Sequence, residues 1–386
     1  MHRSTDRILQ SHAGSLHRPP ALQDAMRNHK DGDPFDDNLE KLVRDGIFEV
    51  VQLQAENGVD VVNDGEYSKS SWQTYARGRL TGIEMRQIPE GEVGTLPITA
   101  REQLSFPDYF GSLISGFAGG GFRNQGVYAV GPLGYRGQTE VERDIKNLKD
   151  AMQGQDVIEG VLTALAPGTI EHWLRNDYFE TDEEMLFAVA DAMHEEYRMI
   201  TDAGLILQLD DPDLPDGYAC HPELSVEDYK KWAEVRVEAL NQSIRGLPEE
   251  LVRLHICWGS IHHPHTTDIP LEEIIDIVYK VKAQCYSIEA ANPQHEHEWI
   301  VFKDHPLPDG KILMPGIIGH AAREFVEHPE AVAQRTERYA SVVGKENVIV
   351  GTDCGLQRTA HPSITWAKFR AGAEGASIAT KRLWGK

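Results

Sequence analysis

Cysteine is scarce: the chain has four, Cys220, Cys257, Cys285 and Cys354. So few thiols in 386 residues cannot build a disulfide-stapled scaffold, and reduced thiols are expected. Basic residues are also in deficit, 38 Lys and Arg against 61 Asp and Glu, for a net charge of −23. That balance argues against a nucleic-acid backbone or an anionic membrane surface as partner. No apolar run approaches the roughly 18 residues needed to cross a bilayer. The opening MHRSTDRILQ has no signal-peptide core, so a cytoplasmic location is expected. Short repeats, low-complexity tails and a glycine-rich dinucleotide turn are lacking as well.

What remains is an alternation of short apolar runs with longer amphipathic stretches. The runs are Arg7–Ser11, Gly58–Asn63, Val161–Leu165, Leu205–Leu209, Leu251–Ile256, Cys285–Ile288, Lys311–Ile318 and Asn347–Gly351. Runs of this length, bounded by polar or glycine signals, read as buried strands of a parallel sheet. Helical spacing marks Leu39–Asn57, Asp182–Ala203, Ser225–Leu240, Pro270–Ala283 and Pro329–Val343. Eight strand–helix units predict an α/β protein, a (β/α)8 TIM barrel, occupying residues 1–386 as a single domain. A doubly wound open sheet is the competitor. The connection after the second strand is far too long for a loop, so residues from about 83 to 137 are expected to form an insertion. It would be a hairpin and lid over the barrel mouth, or a contact with a second subunit of a homo-oligomer. Its FAGGGF segment, Phe117–Phe122, offers backbone freedom. Arg123, just beyond, is a candidate cation for an anionic ligand, or an ordinary solvated arginine.

A barrel places its chemistry at the C-terminal ends of its strands. His255 and Cys257 are two apart, so on a strand they share a face. Glu289 and Cys354 end two further strands. One nitrogen, two sulfurs and one carboxylate oxygen form a set that tetrahedral zinc accepts. The ordinary alternative is that each cysteine is a small buried hydrophobe.

Taken together, HAGSLHRP, VVNDGE, LILQLDDP, LHICWGS, YSIEAANP and VIVGTDCGL follow the order found in the catalytic barrel of cobalamin-independent methionine synthase. The chain resembles the shorter, single-barrel branch of that superfamily over nearly its whole length. The resemblance implies Zn2+ held by His255, Cys257, Glu289 and Cys354. It implies that Gly14 and Ser15 meet a substrate carboxylate, and that Glu66 and Asp210 hold its ammonium group. Ion pairs or helix caps are the plain alternative for those two acids. APGTIEHW resembles the donor-side segment and makes Trp173 an aromatic that contacts the donor, against the alternative of a packed tryptophan. His320 is a candidate proton shuttle or a polar mouth residue.

The reaction implied is transfer of a methyl group to a zinc-activated thiol such as homocysteine, from a small-molecule alkyl donor. The same branch includes epoxide-opening enzymes of the coenzyme M type, which is the alternative. A zinc lyase or hydrolase that activates water, and a non-catalytic binding protein, are further readings. The sequence lacks the second, N-terminal barrel of the full-length family enzymes. Two histidine-rich stretches, Ser260–His265 and Gln294–Glu298, suit either hydrophilic loops or a second metal, and His295 and His297 could support Glu289.

Overall fold

The computed structural model describes residues 1–89, 99–116, 125–259 and 263–385. The FAGGGF segment, Arg123 and Ser260–His262 lie outside them. Eleven strands are present among the described residues: β1 (Leu9–Gln10), β2 (Val61–Asn63), β3 (Leu80–Gln87), β4 (Gln125–Tyr135), β5 (Glu159–Leu165), β6 (Leu174–Asn176), β7 (Ile206–Asp210), β8 (Val252–Ile256), β9 (Cys285–Glu289), β10 (Ile312–Gly316) and β11 (Ile349–Val350). The fold is α/β with a mostly parallel, curled sheet. Six strands pair in parallel in the order β2-β5-β7-β8-β9-β10, and β1 pairs in parallel with β11. Single parallel bridges, Leu313 to Val348 and Ile318 to Thr352, join the β10 and β11 segments. On the other side the Asp60 amide donates to the Gln10 carbonyl at 2.9 Å.

Every residue of β7, β8, β9 and β10 is buried. The alternation within them is chemical rather than wet against dry. Leu207, Leu209, Leu254, Ile256, Tyr286 and Ile288 belong to the main apolar core. The intervening Gln208, Arg253, His255 and Ser287 are polar and equally buried. Buried polar groups of this kind need internal partners. Arg253 finds them across the sheet, donating to Ser11 Oγ at 2.9 Å and the His12 carbonyl at 3.1 Å. Gln208 Nε2 donates to the Ala13 carbonyl at 2.5 Å. These bonds tie β7 and β8 to the turn after β1.

The helices begin where side chains can cap them. Asp36 accepts from the Leu39 amide at 2.8 Å, Thr181 from Glu184 at 3.1 Å and Ser225 from Asp228 at 3.1 Å. No helix among the described residues is long and apolar enough to cross a membrane.

β3, β4 and β6 form a separate three-stranded sheet, β3 antiparallel and β6 parallel to β4. It is anchored by Arg79, buried at the start of β3. This guanidinium donates to Glu196 at 3.0 Å and Asp144 at 2.7 Å, on helices 182–202 and 138–152. Tyr75 and Tyr135 also donate to Glu196, at 3.1 and 2.7 Å.

Candidate functional site

Parallel pairing brings the C-terminal ends of the strands to one face, with Leu165 level with Asp210, Asp210 with His255, and Glu289 with Gly316. A cavity of ≈ 530 Å³ opens there. Ser15, Glu66, Asp210, His255, Cys257 and Cys354 all line it.

His255 alternates with Arg253 on β8 and so faces the same way, and Cys257 continues that alternation past the strand end. Its Nδ1 lies 2.9 Å from Ser287 Oγ. Its Nε2 is buried and has no hydrogen-bond partner among the described residues. His255, Cys257 and Cys354 each offer a ligand atom within 4.8 Å of the others. A hydrogen bond with Cys257 holds the Cys354 thiol well below its ordinary range, aided by His255 and His320. The same bond, with burial, pushes Cys257 well up.

Glu289 ends β9 and is 1 % exposed. Asn292 donates to its Oε2 at 3.0 Å, while its Oε1 is buried without a partner. Burial, followed by the charge of Asp353, raises its carboxyl well above the usual range. Asp353 in turn accepts the Ala290 and Ala291 amides at 2.7 and 2.9 Å, fixing the turn that presents Glu289. The clustered imidazole and two cysteine sulfurs are donors that suit zinc, while Glu289, with its orphaned oxygen, falls outside that 4.8 Å group.

The cavity is also lined by acids. Glu66 sits in the left-handed region at φ 61, after Gly65 at φ 66. Asn63 Oδ1 accepts the Gly65 amide at 2.7 Å, and Asp64 Oδ1 accepts the Glu66 amide at 2.9 Å, so the turn holds a conformation a glutamate rarely adopts. Gly14 permits this: a Cβ there would lie 2.6 Å from Glu66 Oε1. Thr163 Oγ1 donates to the same oxygen at 3.1 Å, and Lys69 Nζ donates to Thr163 Oγ1 at 2.7 Å. Gln208 Nε2 donates to Asp210 Oδ1 at 2.6 Å. Burial raises Glu66 to about 7 and Asp210 to about 6.

Not every sequence-derived candidate reaches the cavity lining. Glu289 and His320 are buried and outside the cavity lining, although the charge of His320 acts on Cys354. Trp173 packs into the main core, with the Arg77 guanidinium 5.1 Å from its ring. Trp72 lines the cavity instead. Asp216, His172 and Arg358 line it too and were not singled out from the sequence. The cluster of acids in DPDLPDG, Asp211 to Gly217, was the available signal for Asp216.

Residues 134–376 match the family model described as the catalytic domain of cobalamin-independent synthase. A methionine synthase of Sulfurisphaera tokodaii is 25% identical over 375 residues, spanning 97% of this chain and 93% of that one. One of Sulfolobus acidocaldarius is 24% identical over 345 residues, 89% of this chain and 84% of that one. Among solved structures, a B12-independent methionine synthase from Shewanella sp. W3-18-1, in complex with selenomethionine, superposes with a TM-score of 0.74 at 21% identity. That likeness covers 98% of this chain and 100% of the other. A putative vitamin-B12 independent methionine synthase from Listeria monocytogenes gives 0.65 at 19% identity over the same shares. The fold is theirs, and the family match covers most of the chain: it belongs to the family of cobalamin-independent synthase catalytic domains.

Proposed function

We propose that this protein is a zinc-dependent thiol methyltransferase that acts on an amino-acid thiol such as homocysteine. The observation that carries the reading is one cavity lined both by the His–Cys–Cys cluster and by the Glu66–Asp210 pair. His255, Cys257, Glu289 and Cys354 would hold the metal. A zinc ion there would supply the Lewis acidity that keeps a substrate thiol ionised at neutral pH.

The chain's own groups do the rest. Glu66 and Asp210, ionised, take the substrate ammonium and so fix the distance between its amino group and its sulfur. The turn at Gly14 and Ser15, packed against Gly355 so closely that a Cβ there would overlap Ser15 Oγ, receives the carboxylate. Ser287 Oγ, 2.9 Å from Nδ1, orients the His255 ring and would accept its Nδ1–H with a metal on Nε2. His320, whose charge acts on Cys354, would relay a proton toward the cavity. The selenomethionine held by the Shewanella relative supports an amino-acid substrate, and the relatives named methionine synthase favour methyl transfer over epoxide opening.

The same proposal extends to the scaffold: β2, β5, β7, β8, β9, β10, β11 and β1 close as a (β/α)8 barrel, a reading supported by the bridges at β11 and the Asp60–Gln10 bond. Residues 83–137 are an insertion in that single domain. Incubating the purified, zinc-loaded protein with homocysteine and a panel of methyl donors tests the function. Methionine formation that vanishes with zinc removal is expected. Turnover of thiol-free substrates alone would overturn it.

A further inference from the structure

We propose a second divalent-metal site, built by His263, His265 and Asp268 on the loop after β8 and bordered by His295 from the loop after β9. It contains no thiol and shares no residue with the His255 cluster, so it does not rest on the thiol-transfer reading.

The two histidine-rich loops are remote in sequence and meet in space. His263, His265 and Asp268 each offer a ligand atom within 4.8 Å of the other two. The imidazoles of His263 and His265 stack at 3.6 Å between centroids. Asp268 Oδ2 lies 2.7 Å from His265 Nδ1 and 3.1 Å from His295 Nε2. Two more carboxylates border the group: Glu102 Oε2 is 3.3 Å from His263 Nδ1, and Glu298 Oε2 is 2.7 Å from His295 Nδ1. The side chains of Glu102, Asp268 and Glu298 are at most 5% exposed.

Three buried carboxylates demand compensating charge. A divalent cation held by His263, His265 and Asp268 would supply it. Two imidazoles and a carboxylate are the donor set of a first-row divalent metal such as zinc. The backbone agrees, since His265 is held in the left-handed region at φ 58.

A metal there would clasp the rim of the cavity. Glu102 lies in the short helix Ala100–Ser105, from the chain between β3 and β4, and accepts from the Thr266 amide at 3.1 Å and Thr266 Oγ1 at 2.6 Å. Asp268 also acts on Asp216 of the cavity wall, adding to the burial that raises it.

The test is elemental analysis of purified full-length protein loaded with zinc and dialysed against metal-free buffer. Two zinc ions per chain are expected for the wild type. One is expected for His265→Ala/Asp268→Asn and one for Cys257→Ser/Cys354→Ser. Circular dichroism checks that each variant is folded. If the His265 variant fails to fold, cobalt titration of the cysteine variant decides. Stoichiometric binding with weak visible bands and no sulfur-to-cobalt charge transfer supports the site, and no binding overturns it. A single zinc in the wild type, abolished by the cysteine changes, would also overturn it.

Discussion

Glu66→Gln separates what the acidic wall does for function from what it does to stability. The carboxyl of Glu66 is 3 % exposed and rises from 4.5 to about 7 through burial, with Asp210 and Asp64 adding and Lys69 opposing. A folded-state value above the unfolded one means the stabilising contribution is fully present below pH 4.5 and is lost as pH rises through 7. About 2.5 pH units, at about 1.4 kcal/mol each, make a deficit of about 3 kcal/mol at pH 8. Glutamine keeps the size and the acceptor for Thr163 Oγ1 while removing the charge. Urea unfolding without substrate should therefore find Glu66→Gln more stable than wild type at pH 8, by up to about 3 kcal/mol, with the gap closing towards pH 5. On the proposed function the same change would remove one partner of the substrate ammonium, a charged hydrogen bond of about 1.5–3 kcal/mol. The kcat/KM for homocysteine should fall about 10- to 150-fold. A variant no more stable at pH 8, or a gap independent of pH, would refute the burial argument, and an unchanged kcat/KM would refute the assignment of the wall.

The KM for an amino-acid thiol should fall as pH rises from 5 to 8, because Asp210 and Glu66 ionise near 6 and 7; a KM that climbs with pH contradicts the pairing. Asp210→Asn should raise that KM and flatten its acid limb, which steady-state kinetics across the same range will read. Cys257→Ser/Cys354→Ser should lose one zinc and all turnover while keeping a native circular dichroism spectrum, since the large apolar core does not need the metal to form; a full zinc complement would dismiss these ligands. Arg79→Leu leaves the buried Glu196 with tyrosine donors but no cation and Asp144 with Arg143 alone, and should cost about 3–5 kcal/mol. Adding Asp144→Asn and Glu196→Gln should recover part of that loss, and no recovery in urea melts would place the cost elsewhere.

The strands of the curled sheet were legible because a parallel strand buried on both faces must be compact and largely apolar, as in LILQL and CYSI. Their inward polar rungs, Gln208, Arg253 and Ser287, were not, because their partners lie on strands remote in sequence. The helix 138–152 carries Val141, Ile145 and Leu148 at helical spacing, but the apparent insertion masked it. Apolar spacing suggested a helix as far as Ala283, whereas it ends at Val278. Val281 continues the pattern because a turn, not a helix, delivers it to the same core. Within the site, His255, Cys257 and Cys354 could be placed from strand-end positions alone. Tryptophan direction could not: Trp173 and Trp72 both lie near the mouth in sequence terms, and only packing distinguishes the one that faces the cavity. The meeting of His263, His265 and His295 is likewise a product of two loops converging.

β1 pairs with β11, Leu9 with Ile349 and Gln10 with Val350. During synthesis the first strand therefore waits for almost the last. At ribosomal speeds of about 5–20 residues per second, the intervening chain takes roughly 17–70 s to appear. Throughout that interval β1 has no permanent neighbour at its β11 edge, and β2 and β5 can pair before the ring of contacts can shut. Nascent chains with open edges are the species that associate wrongly and recruit chaperones. A premature stop before Ile349 would leave the His255 half of the site assembled on a sheet with no seam, without Cys354. Yield in the cell should consequently depend on elongation rate and chaperone supply more steeply than equilibrium stability alone would suggest.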